Sequence, residues 1–206
     1  MMIRLRQLER RAQDLIARGN QTRMLRIIGG TWRGRTWRFP AGDIRPTPDR
    51  VRETLFNWLA PGIAGARCLD LFAGSGALGL EALSRGAAHV VFVEQALAAA
   101  RELRRTLTLW GGDRAAAAQI HTGEAGAYLG GKPDAFDVVF LDPPFAGDLL
   151  GQVAARLENG AWLAPDALIY VECAAREGLP PLPSRWLVSK AGRAGEVGYH
   201  LLRRTP

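Results

Sequence analysis

From residue 66 to the C-terminus, short apolar runs alternate with segments of helical spacing, and this alternation narrows the fold more than any other feature. Arg67 to Phe72, His89 to Glu94, Gln119 to Thr122, Phe136 to Leu141 and Ala167 to Cys173 read as strands. Residues 77–85, 95–110 and 149–157 read as helices. Such alternation predicts a mostly parallel sheet covered on both faces. The nearly continuous apolar run Phe136 to Leu141 suits a strand buried on both sides. Trp186 to Ser189 and Val197 to Leu202 have no helix between them, so they are expected to pair antiparallel at one edge. Ligands of open α/β sheets bind outside the carboxyl ends of the strands, so the residues just after each run carry the functional argument.

Two such junctions stand out. Asp142-Pro143-Pro144-Phe145 follows Phe136 to Leu141. Two prolines cannot continue a ladder and fix φ near −65°, which predicts a stiff turn carrying an acid and an aromatic ring. The plainer alternative is a strand that ends in a turn capped by Asp142. The second junction, Asp70-Leu71-Phe72-Ala73-Gly74-Ser75-Gly76-Ala77-Leu78-Gly79, joins the first strand of the alternating region to its helix. Gly74 to Gly79 fits G-x-G-x-x-G, and Glu94 ends the next strand 20 residues after Gly74, so a dinucleotide site is open as a rival. Against it stands Asp70, a carboxylate beside the loop that would repel a pyrophosphate and favour the sulfonium and ammonium of S-adenosylmethionine. Glu94 could take ribose hydroxyls of either cofactor. Glu124, after the third strand, could accept from an adenine amine or be a surface acid.

An exocyclic amine on a base is a poor nucleophile because its lone pair is delocalised. Asp142 and the Pro143 carbonyl are suitable acceptors for its two N–H bonds and could aim the lone pair at a methyl donor. Phe145 would stack on the extruded base, offsetting part of the unstacking cost.

Charge adds a partner. The net charge is +7. Residues 1–52 hold 13 arginines, no lysine and 4 acids, so the whole excess lies there and the remainder is slightly acidic. Segregated basicity predicts a polyanionic partner, and arginine both forks onto phosphates and stacks on bases. Residues 24–40 read as two strands, Leu25 to Ile28 and Arg35 to Phe39, with Arg26, Arg33, Arg35 and Arg38 interleaved with Trp32 and Trp37. This is how looped RNA is gripped. The alternative is a hairpin whose tryptophans pack on the main domain while its arginines are solvated. Arg45 and Arg50 flank the entrance of a helix expected to run to about Ala60, with Thr47 as its N-cap. The expected organisation is a basic arm over 1–23, an RNA-binding hairpin extension over 24–44 and a catalytic domain over 45–206. Cys68 and Cys173 read as buried thiols in a reducing cytoplasm, with no metal-ligand spacing. No apolar run reaches membrane-spanning length.

With these residues assembled, the chain resembles the bacterial 16S ribosomal RNA guanine-N2 methyltransferases of the class I, S-adenosylmethionine-dependent superfamily. The resemblance covers roughly residues 25–205. It rests on Arg26 to Gly30 with Trp32 to Arg35, on Arg45-Pro46-Thr47 with Asp49 to Leu59, on Asp70 to Gly86, on Asp142 to Phe145 and on Ala167 to Glu172. It implies a Rossmann-like, seven-stranded sheet with an antiparallel C-terminal hairpin, and a small N-terminal β-hairpin extension. It implies S-adenosylmethionine over Asp70, Phe72, Ala73, Gly74 and Gly76, with Glu94, Glu124 and Asp142 as further contacts. The base amine would meet Asp142 and Pro143, in the turn completed by Pro144 and Phe145. RNA would contact the hairpin, within a small subunit or an assembly intermediate and near ribosomal proteins. Glu124 stands where a shorter acid or amide is common in the family. A monomeric, cytoplasmic enzyme is expected. Adenine-N6 methylation, an NAD-dependent oxidoreductase and a noncatalytic assembly factor are the alternatives.

Overall fold

The computed structural model describes residues 22–40, 47–144 and 149–205. Almost all of the expected basic arm, together with Arg45 and Phe145, lies outside the described residues.

The chain opens with a separate antiparallel pair, β1 (Thr22–Arg26) and β2 (Thr36–Pro40), registered Arg26 to Thr36 and Thr22 to Pro40. Helix α1 (Asp49–Leu59) follows. The main sheet is built from β3 (Arg67–Asp70), β4 (His89–Glu94), β5 (Ala118–Thr122), β6 (Phe136–Leu141), β7 (Leu163–Ala174), β8 (Trp186–Ala194) and β9 (Val197–Arg204). Between them lie α2 (Ala77–Ser84), α3 (Leu97–Trp110), α4 (Gly112–Ala116), α5 (Ala125–Tyr128) and α6 (Leu149–Asn159). The strand order is β5-β4-β3-β6-β7-β9-β8. Strands β3 to β7 run parallel, and β9 inserts antiparallel between β7 and β8. The expected seven-stranded sheet with an antiparallel C-terminal pair is the one observed.

Alternation along the strands divides the core. Val138 and Phe140 point into the layer that holds Leu55, Phe56, Leu80 and Phe92, whereas Val139 and Leu141 point into the layer of Leu150, Val153 and Leu157. Both faces of β6 are therefore sealed, and its chemistry is confined to its end.

Several expectations are corrected, beginning with the first hairpin strand, read over Leu25 to Ile28 and found at Thr22–Arg26. Strand β3 stops at Asp70, although the Leu71 amide still reaches the Phe140 carbonyl at 3.2 Å. The short helices α4 and α5 carry too few periodic residues to be read from sequence. Thr47 does not cap α1. Pro48 holds the cap position with no side-chain hydrogen bond, and the Thr47 hydroxyl donates to Glu172 Oε1 at 2.9 Å. A buried carboxylate is the stronger acceptor.

The segment linking β1 to β2 docks on α2. Both oxygens of the fully buried Glu81 accept backbone amides, from Ile28 at 2.9 Å and Gly29 at 2.8 Å. Arg85 Nε also donates to Glu81, and the equally buried Arg52 lies 3.9 Å from it while donating to the Arg26 carbonyl. Ser84 adds bonds to the Trp32 amide and the Gly29 carbonyl.

Candidate active site

The site lies where the sheet order reverses, between the carboxyl ends of β3 and β6, the crevice in which such sheets take ligands. Strand β3 delivers Asp70 there, buried, with one oxygen accepting the Gly79 amide at 3.0 Å. That bond requires α2 to lie tight against the strand layer. Gly79 permits it, since a Cβ at this position would sit 2.1 Å from the Phe92 ring.

The intervening loop is held by backbone bonds, Ala73 N–H to the Val93 carbonyl and Gly76 N–H to the Ala73 carbonyl. Gly76 adopts φ +78 to start α2, a left-handed conformation that suits glycine. Glu94, ending β4, is pinned from two sides. Its oxygens accept the Gly74 and Ala96 amides, each at 2.6 Å. Each oxygen retains a second lone pair for a hydroxyl donor. Phe72 is half-buried beside the second core layer.

Asp142 leaves β6 as a half-buried side chain, Pro143 is buried and Pro144 is exposed. Because Leu141 lies opposite Val171, Asp142 emerges beside Glu172 at the end of the same sheet. Glu172 Oε1 accepts both the Thr47 and the Tyr170 hydroxyls, at 2.9 and 2.8 Å. Burial, foremost, then the charges of Glu172 and Asp70, pushes the Asp142 carboxyl well above the usual range. Burial pushes Asp70 to about 7, against the Gly79 bond and with help from Glu94. This donor set fits a ligand with positive charge and hydroxyls. Cationic sulfur or nitrogen would relieve the crowding of Asp70, Asp142 and Glu172, and Glu94 would accept ribose hydroxyls, whereas a pyrophosphate would worsen the crowding. Glu124 is exposed and begins α5 without a side-chain cap. It sits two residues beyond Thr122, the register partner of Glu94, so it shares this edge. Among the described residues no three metal-capable side chains converge, and no helix is long and apolar enough to cross a membrane.

The expected RNA residues separate into classes. Arg33 and Arg38 are exposed on the hairpin and Arg50 on the first turn of α1. Arg26 is exposed but paired to Asp49 at 3.0 Å. Arg35 donates to the Trp110 carbonyl and lies over its ring. Trp32 departs from expectation. It is 5% exposed and packs edge-on against Trp110, with ring centroids 4.9 Å apart. Its burial removes it from any base-stacking surface, and Trp37 is enclosed in the same way. Sequence reading missed Glu172 as a neighbour of Asp142. The available signal was an acid at the end of an apolar strand, the pattern also seen at Asp70 and Glu94.

The conserved hypothetical protein 95 family matches residues 25–203 of this chain. The ribosomal RNA small subunit methyltransferase D of Escherichia coli strain K12 is 48% identical over 182 residues, which span 87% of this chain and 90% of that protein. The protein of the same name from Haemophilus influenzae is 43% identical over 181 residues, spanning 86% and 92%. Among solved structures, the yhhF protein of Escherichia coli matches with a TM-score of 0.82 at 48% identity, covering 89% of this chain and 99% of that one.

Proposed function

The chain belongs to the conserved hypothetical protein 95 family, among relatives named ribosomal RNA small subunit methyltransferase D, and from that premise we propose that it methylates the exocyclic N2 amine of one guanine in small-subunit 16S rRNA. It is a class I, S-adenosylmethionine-dependent methyltransferase. The observation that carries the reading is the rigid Asp142-Pro143 corner beside Asp70, at the end of adjacent parallel strands.

Asp70, the Phe72 to Gly76 loop, Glu94 and Glu124 hold the cofactor, with Asp70 and Asp142 facing its charged amino acid end. S-adenosylmethionine supplies, when bound, a methyl already activated by positive sulfur. The protein's task is therefore orientation. The Asp142 carboxylate and the Pro143 carbonyl would accept the two amine N–H bonds and so orient the nitrogen lone pair toward the methyl donor. The methylated amine must shed its surplus proton, and Asp142 would be the adjacent acceptor. Its raised proton affinity suits that duty. Pro144 keeps the turn stiff, and Phe145 stacks on the extruded base.

Arg33, Arg38 and Arg50 engage RNA phosphates, a role shared by Arg26, Arg35 and Arg45. The substrate is the RNA of a small subunit or its assembly intermediate, with ribosomal proteins near the target. The enzyme works as a cytoplasmic monomer.

The test is product identity. Undermethylated small subunits incubated with the protein and isotope-labelled S-adenosylmethionine should yield labelled N2-methylguanosine on nucleoside digestion. Label in N6-methyladenosine, or none at all, would refute the assignment.

A further inference from the structure

We propose that Glu172 reads the target base by accepting the N1–H of guanine beside the amine held at Asp142, so that this carboxylate selects guanine against adenine and cytosine. The inference rests on the guanine-N2 reading above.

The geometry begins in the sheet. Leu141 and Val171 are register partners on parallel strands, so Asp142 and Glu172 follow one another around the same edge. Glu172 is 4% exposed, and its two oxygens differ. Oε1 is fixed by two hydroxyls, from Thr47 at 2.9 Å and Tyr170 at 2.8 Å. Both hydroxyl bonds go to Oε1, and no described residue donates to Oε2. A carboxylate anchored through one oxygen cannot swing away, and its second oxygen remains an acceptor beside the catalytic corner. Glu172 Oε2 is not one of the buried side-chain atoms left without a partner, so it keeps an open side where a ligand donor can reach it.

The chemistry of the bases decides what completes it. Along its Watson–Crick edge guanine presents two adjacent donors, the N2 amine and N1–H. Adenine pairs its amine with an N1 acceptor, and cytosine pairs its amine with an N3 acceptor. Two neighbouring carboxylates, Asp142 and Glu172, match two adjacent donors. Against adenine or cytosine, Glu172 would face a lone pair. A site built to bond a donor rejects an analogue lacking it far more strongly than a shape-based pocket does.

The experiment separates the amine from N1–H. Small subunits are reconstituted with 16S rRNA in which the target guanine is replaced by 2-aminopurine, which keeps the amine but turns N1 into an acceptor. The wild-type protein should lose about 100-fold or more in kcat/KM on 2-aminopurine relative to guanine. Glu172→Gln should weaken guanine methylation and narrow that ratio to within about 10-fold, because its amide can donate to N1. Calorimetry with S-adenosylhomocysteine checks that the variant retains its cofactor site, and the wild-type ratio needs no variant at all. Equal wild-type rates on the two bases would overturn the assignment. So would a Glu172→Gln variant slowed equally on both, the behaviour of a merely structural residue. Methylation of adenine by the wild-type protein on unsubstituted subunits, with no guanine product, would overturn the functional reading itself and Glu172's role with it.

Discussion

The indole Nε1–H of Trp37 donates to the Ser75 carbonyl at 2.9 Å, joining a strand of the arginine hairpin to the loop between Gly74 and Gly76. In the sequence Trp37 stands among the arginines of the hairpin and Ser75 lies in the glycine loop. The structure ties them into one unit, because a buried indole donor needs a buried acceptor.

Replacing Trp37 with Phe keeps an aromatic filler but orphans the Ser75 carbonyl. An unsatisfied buried acceptor costs about 1–3 kcal/mol, and the cost falls on the loop. Calorimetry should show S-adenosylhomocysteine binding weakened about 5- to 100-fold, with RNA affinity measured without cofactor changing much less. Unaltered cofactor affinity would show that the loop holds its shape without the bond.

The exposed arginines make a salt prediction. Arg33 and Arg38 are solvent-facing, whereas Arg35 is already engaged with Trp110. Replacing Arg33 and Arg38 with Ala should weaken RNA binding and reduce the log–log salt slope by roughly 0.7 for each phosphate no longer neutralised. Filter binding across salt concentrations reads this directly. An unchanged slope would make both side chains ordinary solvated surface.

Acidity should affect both stability and cofactor binding. Asp70 is raised from an ordinary 3.8 to about 7, by burial first. Between those values the folded chain holds a proton that the unfolded chain has released, so stability of the free protein falls as pH rises through this window and levels off above it. A cationic ligand prefers the ionised acid, so its affinity should rise over the same interval. Thermal melts between about pH 5 and pH 8 should show S-adenosylmethionine raising the Tm more at the alkaline end. A ligand-induced shift that is flat with pH would place the positive charge away from Asp70.

Glu81 is the structural keystone between the hairpin and α2. Glu81→Ala leaves the Ile28 and Gly29 amides without their acceptor and removes one of two carboxylates beside the fully buried Arg52, which keeps its 2.6 Å bond to Asp49. Leaving a hydrogen-bonding group without its partner costs about 1–3 kcal/mol. Urea denaturation should register that loss, and limited proteolysis should cut first between β1 and α1. A stability within about 1 kcal/mol of wild type would mean the hairpin is docked by apolar contacts alone.

The sheet was readable because its strands are short apolar runs set apart by helical periodicity, and Phe136 to Leu141 agrees with β6 residue for residue. Asp70, Glu94 and Asp142 were readable for a related reason, since an acid ending an apolar strand is conspicuous. What could not be read is partnership across the chain. Nothing local tells Thr47 that its hydroxyl will meet Glu172, 125 residues away, rather than cap its own helix. Trp32 looked like a stacking platform because it alternates with arginines, yet Trp110, far along the sequence, gives it a buried partner. The Gly74 to Gly79 spacing equally fits a dinucleotide loop. Its ambiguity resolves only when Asp70 and Asp142 are seen on one crowded edge.

The central claim is that the Asp142-Pro143 corner orients the base amine, and single-turnover methyl transfer to undermethylated small subunits by Asp142→Ala tests it most directly. With cofactor and subunit saturating, the account predicts a rate at least about 100-fold below wild type, since misplacing a reacting group costs that much, while RNA binding is retained. A variant that transfers methyl to the same guanine at the wild-type rate would contradict it.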